Sequence, residues 1–219
     1  MLVRTDRLSA VSVRQSLLMR FLRLYGAYLH TVGTGKDKGD RSLLIAAAPE
    51  KELTSALSRV TGLPLRAEKP LCPPKRARRS FFTVPLLVLL GVVGLLALAP
   101  SLFRLQIQLS LLLLLFPLPF FGWWLLFRWQ AYKTSLLAVQ GDALLVAGYR
   151  RLTLSRVSVP QSRLQRVELR QNPFQRKKGL CSVRIFLFSE GRETAQVKHL
   201  PADEARKLLG NFMEGRKKI

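Results

Sequence analysis

Three hydropathy patterns divide this chain. From residue 81 to residue 127 the apolar residues stop alternating and run almost without interruption, Arg104 being the only formal charge. The run 81–100, FFTVPLLVLLGVVGLLALAP, has Thr83 as its only polar side chain. At a rise of ~1.5 Å per residue, such a helix matches a hydrocarbon core of ~30 Å. The run 109–127, LSLLLLLFPLPFFGWWLLF, ends among Trp123, Trp124 and Trp129, residues that collect where a membrane meets water. Pro85, Pro117 and Pro119 suit membrane helices better than the interior of a soluble one, and Pro117 and Pro119 are expected to kink the second run. The pattern predicts a two-helix transmembrane hairpin, with spans at 81–100 and 109–127 joined by an external loop at 101–108.

On either side of these runs the pattern changes to short alternating segments that end in amphipathic helices, and it occurs twice. Residues 6–24, DRLSAVSVRQSLLMRFLRL, align without gaps to residues 162–180, SRLQRVELRQNPFQRKKGL. Seven of the nineteen positions are identical, among them Leu8/Leu164, Val11/Val167, Gln15/Gln171 and Arg20/Arg176. Each copy continues with a strand-like run (AYLHTV or SVRIFLF), a polar loop and a further short strand. Each then closes with a helix behind a proline. Pro49 precedes a helix with Leu53, Ala56, Leu57 and Val60 on one face, and Pro201 precedes one with Ala205, Leu208, Leu209 and Phe212. Only the second copy has a lead-in, with strands expected at 135–140, 143–149 and 152–159 and a turn at Gly141-Asp142. The shared Arg-Leu-x-x-Val-x-x-Arg-Gln pattern is read as architectural, setting strand register and a turn. The first copy lacks the front strands, so either the chain belongs to a longer protein or something else covers its open sheet edge.

Charge adds an orientation and a partner class. The formal net charge is +23, of which residues 1–80 carry +10 and residues 128–219 carry +12. Such an excess calls for an anionic partner, and the hairpin places it beside headgroups. Lys75, Arg76, Arg78 and Arg79 precede the first span, Arg128 and Lys133 follow the second, and the loop offers only Arg104. The positive-inside rule then puts both termini in the cytoplasm. These six cations are candidate headgroup contacts, the alternative being a plain topology signal with no further role. A further candidate is the turn 172–178, NPFQRKK, with Arg176, Lys177 and Lys178 in series. Phe174 in that turn either dips into an interface or packs into the core.

The segments AYKTSLLAVQGDALLVAGYRRLTLSRVSVP, SRLQRVELRQNPFQRKKGL and LPADEARKLL resemble the pleckstrin-homology-like (PH-like) domain of bacterial YdbS/YdbT-type membrane proteins, which also place paired spans just upstream. Residues 1–62 resemble the back half of another copy. The resemblance implies an α+β membrane protein: the two-helix hairpin plus a PH-like, strongly bent antiparallel barrel or sandwich with a carboxy-terminal capping helix. An incomplete copy of the same domain precedes it. Larger relatives carry several such domains, and this chain resembles their carboxy-terminal portion. The organisation that follows is a partial PH-like domain at 1–62, a basic linker at 63–80, the hairpin, and a complete PH-like domain at 128–219.

Catalytic, metal and cofactor signatures are missing from the sequence. His30 and His199 are isolated, Glu168 sits among basic neighbours as one half of a local ion pair, and no phosphate-binding glycine loop, GxSxG or HExxH occurs. Cys72 and Cys181 read as reduced, unpaired thiols. The amino-terminal residues lack the uninterrupted apolar core of a cleavable signal. No catalytic, cofactor-binding or metal residues are therefore expected. The favoured function is a non-enzymatic scaffold at the cytoplasmic face of the cell membrane, binding anionic headgroups or protein partners, with self-association through the open sheet edge as one route. The alternative, a membrane-tethered nucleic-acid binder, rests on charge alone. It lacks the interleaved aromatics that such a surface needs.

Overall fold

Alternation of apolar and polar residues becomes strand, and each proline ahead of an apolar stripe becomes the start of a helix. A computed structural model describes residues 8–31, 41–103, 115, 118–150, 153–187 and 193–215. In chain order the described elements are β1 (Leu8–Gln15), α1 (Leu17–Phe21), β2 (Leu24–Thr31), β3 (Arg41–Pro49) and α2 (Glu50–Thr61). Then come α3 (Arg78–Phe103) and α4 (Leu118–Thr134), followed by β4 (Leu136–Gln140), β5 (Ala143–Arg150) and β6 (Thr153–Pro160). The chain continues through β7 (Leu164–Arg170), α5 (Pro173–Lys177), β8 (Leu180–Leu187), β9 (Glu193–Pro201) and α6 (Ala202–Gly215). Two units result: Met1–Pro74 together with Thr134–Ile219, and Lys75–Lys133.

In the first unit the strands form two antiparallel sheets. The larger has the order β3-β2-β1-β6-β5-β4 and the smaller β7-β8-β9. The expected lead-in strands and the Gly141-Asp142 turn are present, with Gly141 at a positive φ of 57° that favours glycine. Both copies of the repeat share one order: strand, short helix, two strands, helix.

The edge of the first copy is not open. β1 pairs antiparallel with β6, in the register Val11↔Ser158, Ser12↔Val157, Val13↔Arg156, Arg14↔Ser155 and Gln15↔Leu154. Residues 8–61 thus extend the front sheet of the carboxy-terminal copy, and the Val11–Gln15 edge that would otherwise template aggregation is paired. Alternate residues of β1 enter opposite cores. Ala10 joins Leu144, Val146, Val157, Val183 and Ile185 between the two sheets, where Ala205, Leu209 and Phe212 of α6 close one side. Val11 and Val13 join Ala27, Leu29, Leu53, Leu57 and Leu65 on the other face, beneath α2. A buried leucine contributes about 2 kcal/mol, so Leu53 and Leu57, 1% and 0% exposed, are the main anchors of α2.

Some boundaries differ from those expected. The apolar face of α2 is narrower than its spacing suggests, because Ala56 and Val60 are exposed; only one turn-face of the helix meets the three strands below it. The stretch expected as a basic linker at 63–80 is not a free tether over its first part. Leu65 is buried, and Leu71 makes a two-bond bridge with Leu137. Leu63, Leu65 and Leu71 supply the apolar contacts that hold it to the sheet.

In the second unit, α3 covers the first expected span and runs on through Ser101–Phe103, which were expected in the loop. These residues carry no charge and no helix-stopping glycine, so the helix does not end at Pro100. The segment 75–96 is long and apolar enough to cross a membrane. Of the second expected span, residues 109–114, 116 and 117 lie outside the described residues, and its remainder leads into α4.

Candidate functional site

The short helices α1 and α5 hold equivalent places in the two copies, at the spacing of 156, and share their capping and turn-closing bonds. Ser16 caps α1 by accepting from the Met19 amide; Asn172 caps α5 in a reciprocal box with Gln175. The Arg20 amide donates to the Ser16 carbonyl at 3.0 Å, and the Arg176 amide to the Asn172 carbonyl at 2.9 Å. Gln15 donates its side-chain amide to the Leu24 carbonyl at 3.2 Å, and Gln171 to that of Leu180 at 3.0 Å. The repeated glutamine therefore closes the turn onto the next strand, which gives the shared sequence pattern its architectural role.

Both turns end on a left-handed residue, Arg23 at φ 55° and Gly179 at φ 62°. Glycine occupies that region without strain, whereas a side chain there costs roughly 1 kcal/mol.

What the turns display differs from what a solvated charged loop would display. Leu18 and Phe174 hold equivalent positions and are 82% and 81% exposed. Core packing, one of the two readings of Phe174, is excluded. Phe21 and Leu22 are also exposed on α1, at 85% and 63%. Beside them stand exposed Arg23 and half-buried Arg20 on the first turn, and exposed Arg176, Lys177 and Lys178 on the second. Desolvation at Arg20 lowers the pKa of its guanidinium, with opposing influence from Tyr25. The buried Gln175 secures α5 from beneath, bonding Ser182 Oγ at 2.9 Å and His199 Nδ1 at 3.1 Å. Sequence reading found the cations of the second turn but not the apolar tip of the first. The alignment column Leu18/Phe174 carried that signal.

The remaining candidate cations belong to the second unit. Lys75 and Arg76 lie on an exposed 3-10 turn, Arg78 and Arg79 begin α3, and Lys133 lies at the exposed end of α4 with Arg128 half-buried one turn earlier. Trp129 brings two of them together. Arg78 Cζ stands 4.3 Å from its ring centroid and Lys133 Nζ 5.1 Å. Phe82 and Tyr132 pack near the same indole, and Tyr132 meets the fully buried Phe81 edge-on at 5.5 Å. The beginning of α3 and the end of α4 are thereby joined by a cation–aromatic cluster.

A third feature sits at the seam of the first unit. Arg156 on β6 bonds Glu50 at the start of α2 at 3.1 Å and the Leu65 carbonyl at 3.3 Å. Tyr25 shares Glu50; burial first, and the Glu50 carboxylate second, push its hydroxyl pKa up. The cavity beside them, lined by Val13, Gln15, Tyr25, Thr134, Gly148 and Arg156, holds about 60 Å³. That is far below the several hundred Å³ typical of a small-molecule site, so the cluster ties two copies together rather than enclosing a ligand. His30 is buried against Ser12 Oγ at 3.0 Å, and Glu168 pairs with Arg166 at 2.7 Å. Among the described residues no group of His, Cys, Asp and Glu could hold a metal.

Strands β4–β6 of the larger sheet packed on the β7-β8-β9 sheet, with a helix closing the carboxy-terminal end, form the frame of a PH-like domain. Residues 82–215, more than half of the chain, match the family described as Bacterial PH domain, and the chain belongs to that family. No curated protein and no solved structure matches it.

Proposed function

We propose that this chain is a YdbS/YdbT-like, membrane-anchored PH-like module that works without catalysis. α3 and α4 are the ascending and descending arms of a two-span hairpin, and both termini are cytoplasmic. The basic first unit is a scaffold that meets anionic headgroups at the inner face. The observation that carries this reading is the Trp129 cluster. Arg78 and Lys133 collect where one apolar helix starts and the other ends, as expected of a membrane–water boundary. Support comes from α3 itself, whose Leu86, Leu87, Leu90, Leu95 and Leu98 are all more than half exposed. A surface of that kind needs a lipid or protein cover.

The thiols provide the test. In intact cells a membrane-impermeant maleimide should label a Ser101→Cys variant and leave Cys72 unmodified. After permeabilisation Cys72, which is exposed, should react. Its rate should climb on going to alkaline pH, because desolvation raises the thiol above its ordinary pKa and only the thiolate attacks. Cys181, 1% exposed with its pKa pushed by burial to about 11, should stay silent until the unit unfolds. Labelling of Cys72 in intact cells would reverse the orientation and overturn the reading.

A further inference from the structure

We infer that α1 and α5 are a matched pair of lipid-contacting feet. Leu18, Phe21 and Leu22 on the first and Phe174 on the second enter the headgroup layer of an anionic bilayer, while the exposed Arg23, Arg176, Lys177 and Lys178 meet its phosphates. This deepens the membrane reading above and rests on it.

Four observations converge on these turns. First, the repeat places a large apolar side chain at the same position in both, and in both it is more than four-fifths exposed. An isolated exposed leucine means little, but an exposed apolar tip ringed by cations, built twice on the same scaffold, is the composition of an interfacial anchor. Second, the tips are held rigidly. Side-chain caps, the glutamine bonds from Gln15 and Gln171, and the buried Gln175 leave these short helices little freedom to fold the apolar residue inward. Third, Arg23 occupies a left-handed site at which the sister turn has glycine, so the first turn carries a strained cation at its tip.

Fourth, a chain of contacts links the two turns through the unit, and the first turn lies beside Thr134, where the chain enters it. Thr134, the entry residue, lines one cavity with Gln15 and Tyr25, which flank α1. A short relay then leads to α5. Gln15 pairs with Leu154 and Leu154 with Tyr149; Lys198 Nζ lies 5.5 Å from the Tyr149 ring, and the adjacent His199 bonds Gln175. The occupant is a lipid surface because the partner must accept apolar tips and satisfy several cations at once. A bilayer containing acidic phospholipid does both.

The test uses the full chain, with Cys72→Ser and Cys181→Ala, reconstituted into phosphatidylcholine vesicles with or without phosphatidylglycerol. Single cysteines at Leu18→Cys, Phe174→Cys and Leu90→Cys carry a polarity-sensitive fluorophore, and bromines on the acyl chains serve as the quencher. Quenching at positions 18 and 174 should be strong with phosphatidylglycerol present, weak without it, and reversed by high salt. Neutralising Arg176, Lys177 and Lys178 to glutamine should shift the contact equilibrium about fivefold per charge. Quenching at position 90 with none at 18 or 174 would overturn this inference and leave the membrane reading standing; no quenching at 90 would sink both. Equal, salt-insensitive quenching in neutral vesicles would remove the cations from the contact and so refute it. Probes at 18 and 174 that stay wet on vesicles, yet become shielded when cytosolic protein is added, would assign the turns to a protein partner instead.

Discussion

Replacing Gly148 with valine should unfold the first unit or leave it barely stable, a loss of about 3 kcal/mol or more against a total of roughly 5–15 kcal/mol. β5 and β9 approach one another so closely here that a Cβ would fall on the Gln196 carbonyl oxygen, with the Gln196 carbonyl carbon only 3.1 Å away. Both obstacles are backbone, so no rotamer change relieves the clash. The two sheets would have to separate, exposing Leu144, Val146, Val183 and Val197 of their shared core. Thermal melting and limited proteolysis of the detergent-purified chain would measure the effect. Gly210→Ala is the matched control. It lies on the exposed face of α6 with nothing within 4 Å of a new Cβ, and should stabilise by about 0.5–1 kcal/mol. Wild-type melting of the valine variant would mean that β5 and β9 do not cross at this glycine.

The second large effect is expected at the seam. Val11 is fully buried between β6 and the underside of α2. Val11→Asp would put a carboxylate among Leu53, Leu57 and Val13, with Arg156 on the same face already engaged by Glu50 and the Leu65 carbonyl, a penalty on the order of 4 kcal/mol. Because one sheet runs from β3 to β4 without a break, the damage should spread. Protease sites in β2–β3 and in β4–β6 should open together, in a single transition. Cleavage confined to the first 61 residues, with the rest still resistant, would show two separately folding halves.

The sequence made the elements legible and the seam illegible, for physical reasons. Strand and helix boundaries in the carboxy-terminal copy follow from local signals: alternation in LLAVQ and ALLVAGYR, the left-handed Gly141, and Pro201 ahead of α6. The repeat was visible because its capping and glutamine bonds constrain the same residues twice. Pairing of β1 with β6 was not visible. Hydrophobic alternation fixes which face of a strand is buried, but names no partner some 139 to 147 residues away. β1 carries apolar residues on both faces because it borders two cores, and this looks locally like any buried strand. The open-edge expectation followed from the missing front strands, whose place the other copy's β6 takes. Among the candidate site residues, the cations were legible from charge runs. Gathering of Arg78 and Lys133 on Trp129 needed the helix ends in space. The exposure of Phe174 depends on how a five-residue helix is rolled, which its composition does not specify.

Cross-linking the seam in isolated membranes tests the central claim, that residues 8–61 and the PH-like domain form one continuous unit. Ser12→Cys and Val157→Cys face each other as paired residues of β1 and β6, at a separation that a disulfide spans. Cys72→Ser and Cys181→Ala remove the native thiols. Mild oxidation of isolated membranes should join the two cysteines within a single chain, giving a faster-migrating monomer that reverts on reduction. Failure to form this bond, while a Ser158→Cys/Leu145→Cys pair across β6 and β5 closes readily, would contradict the account. So would a cross-link that appears only between chains.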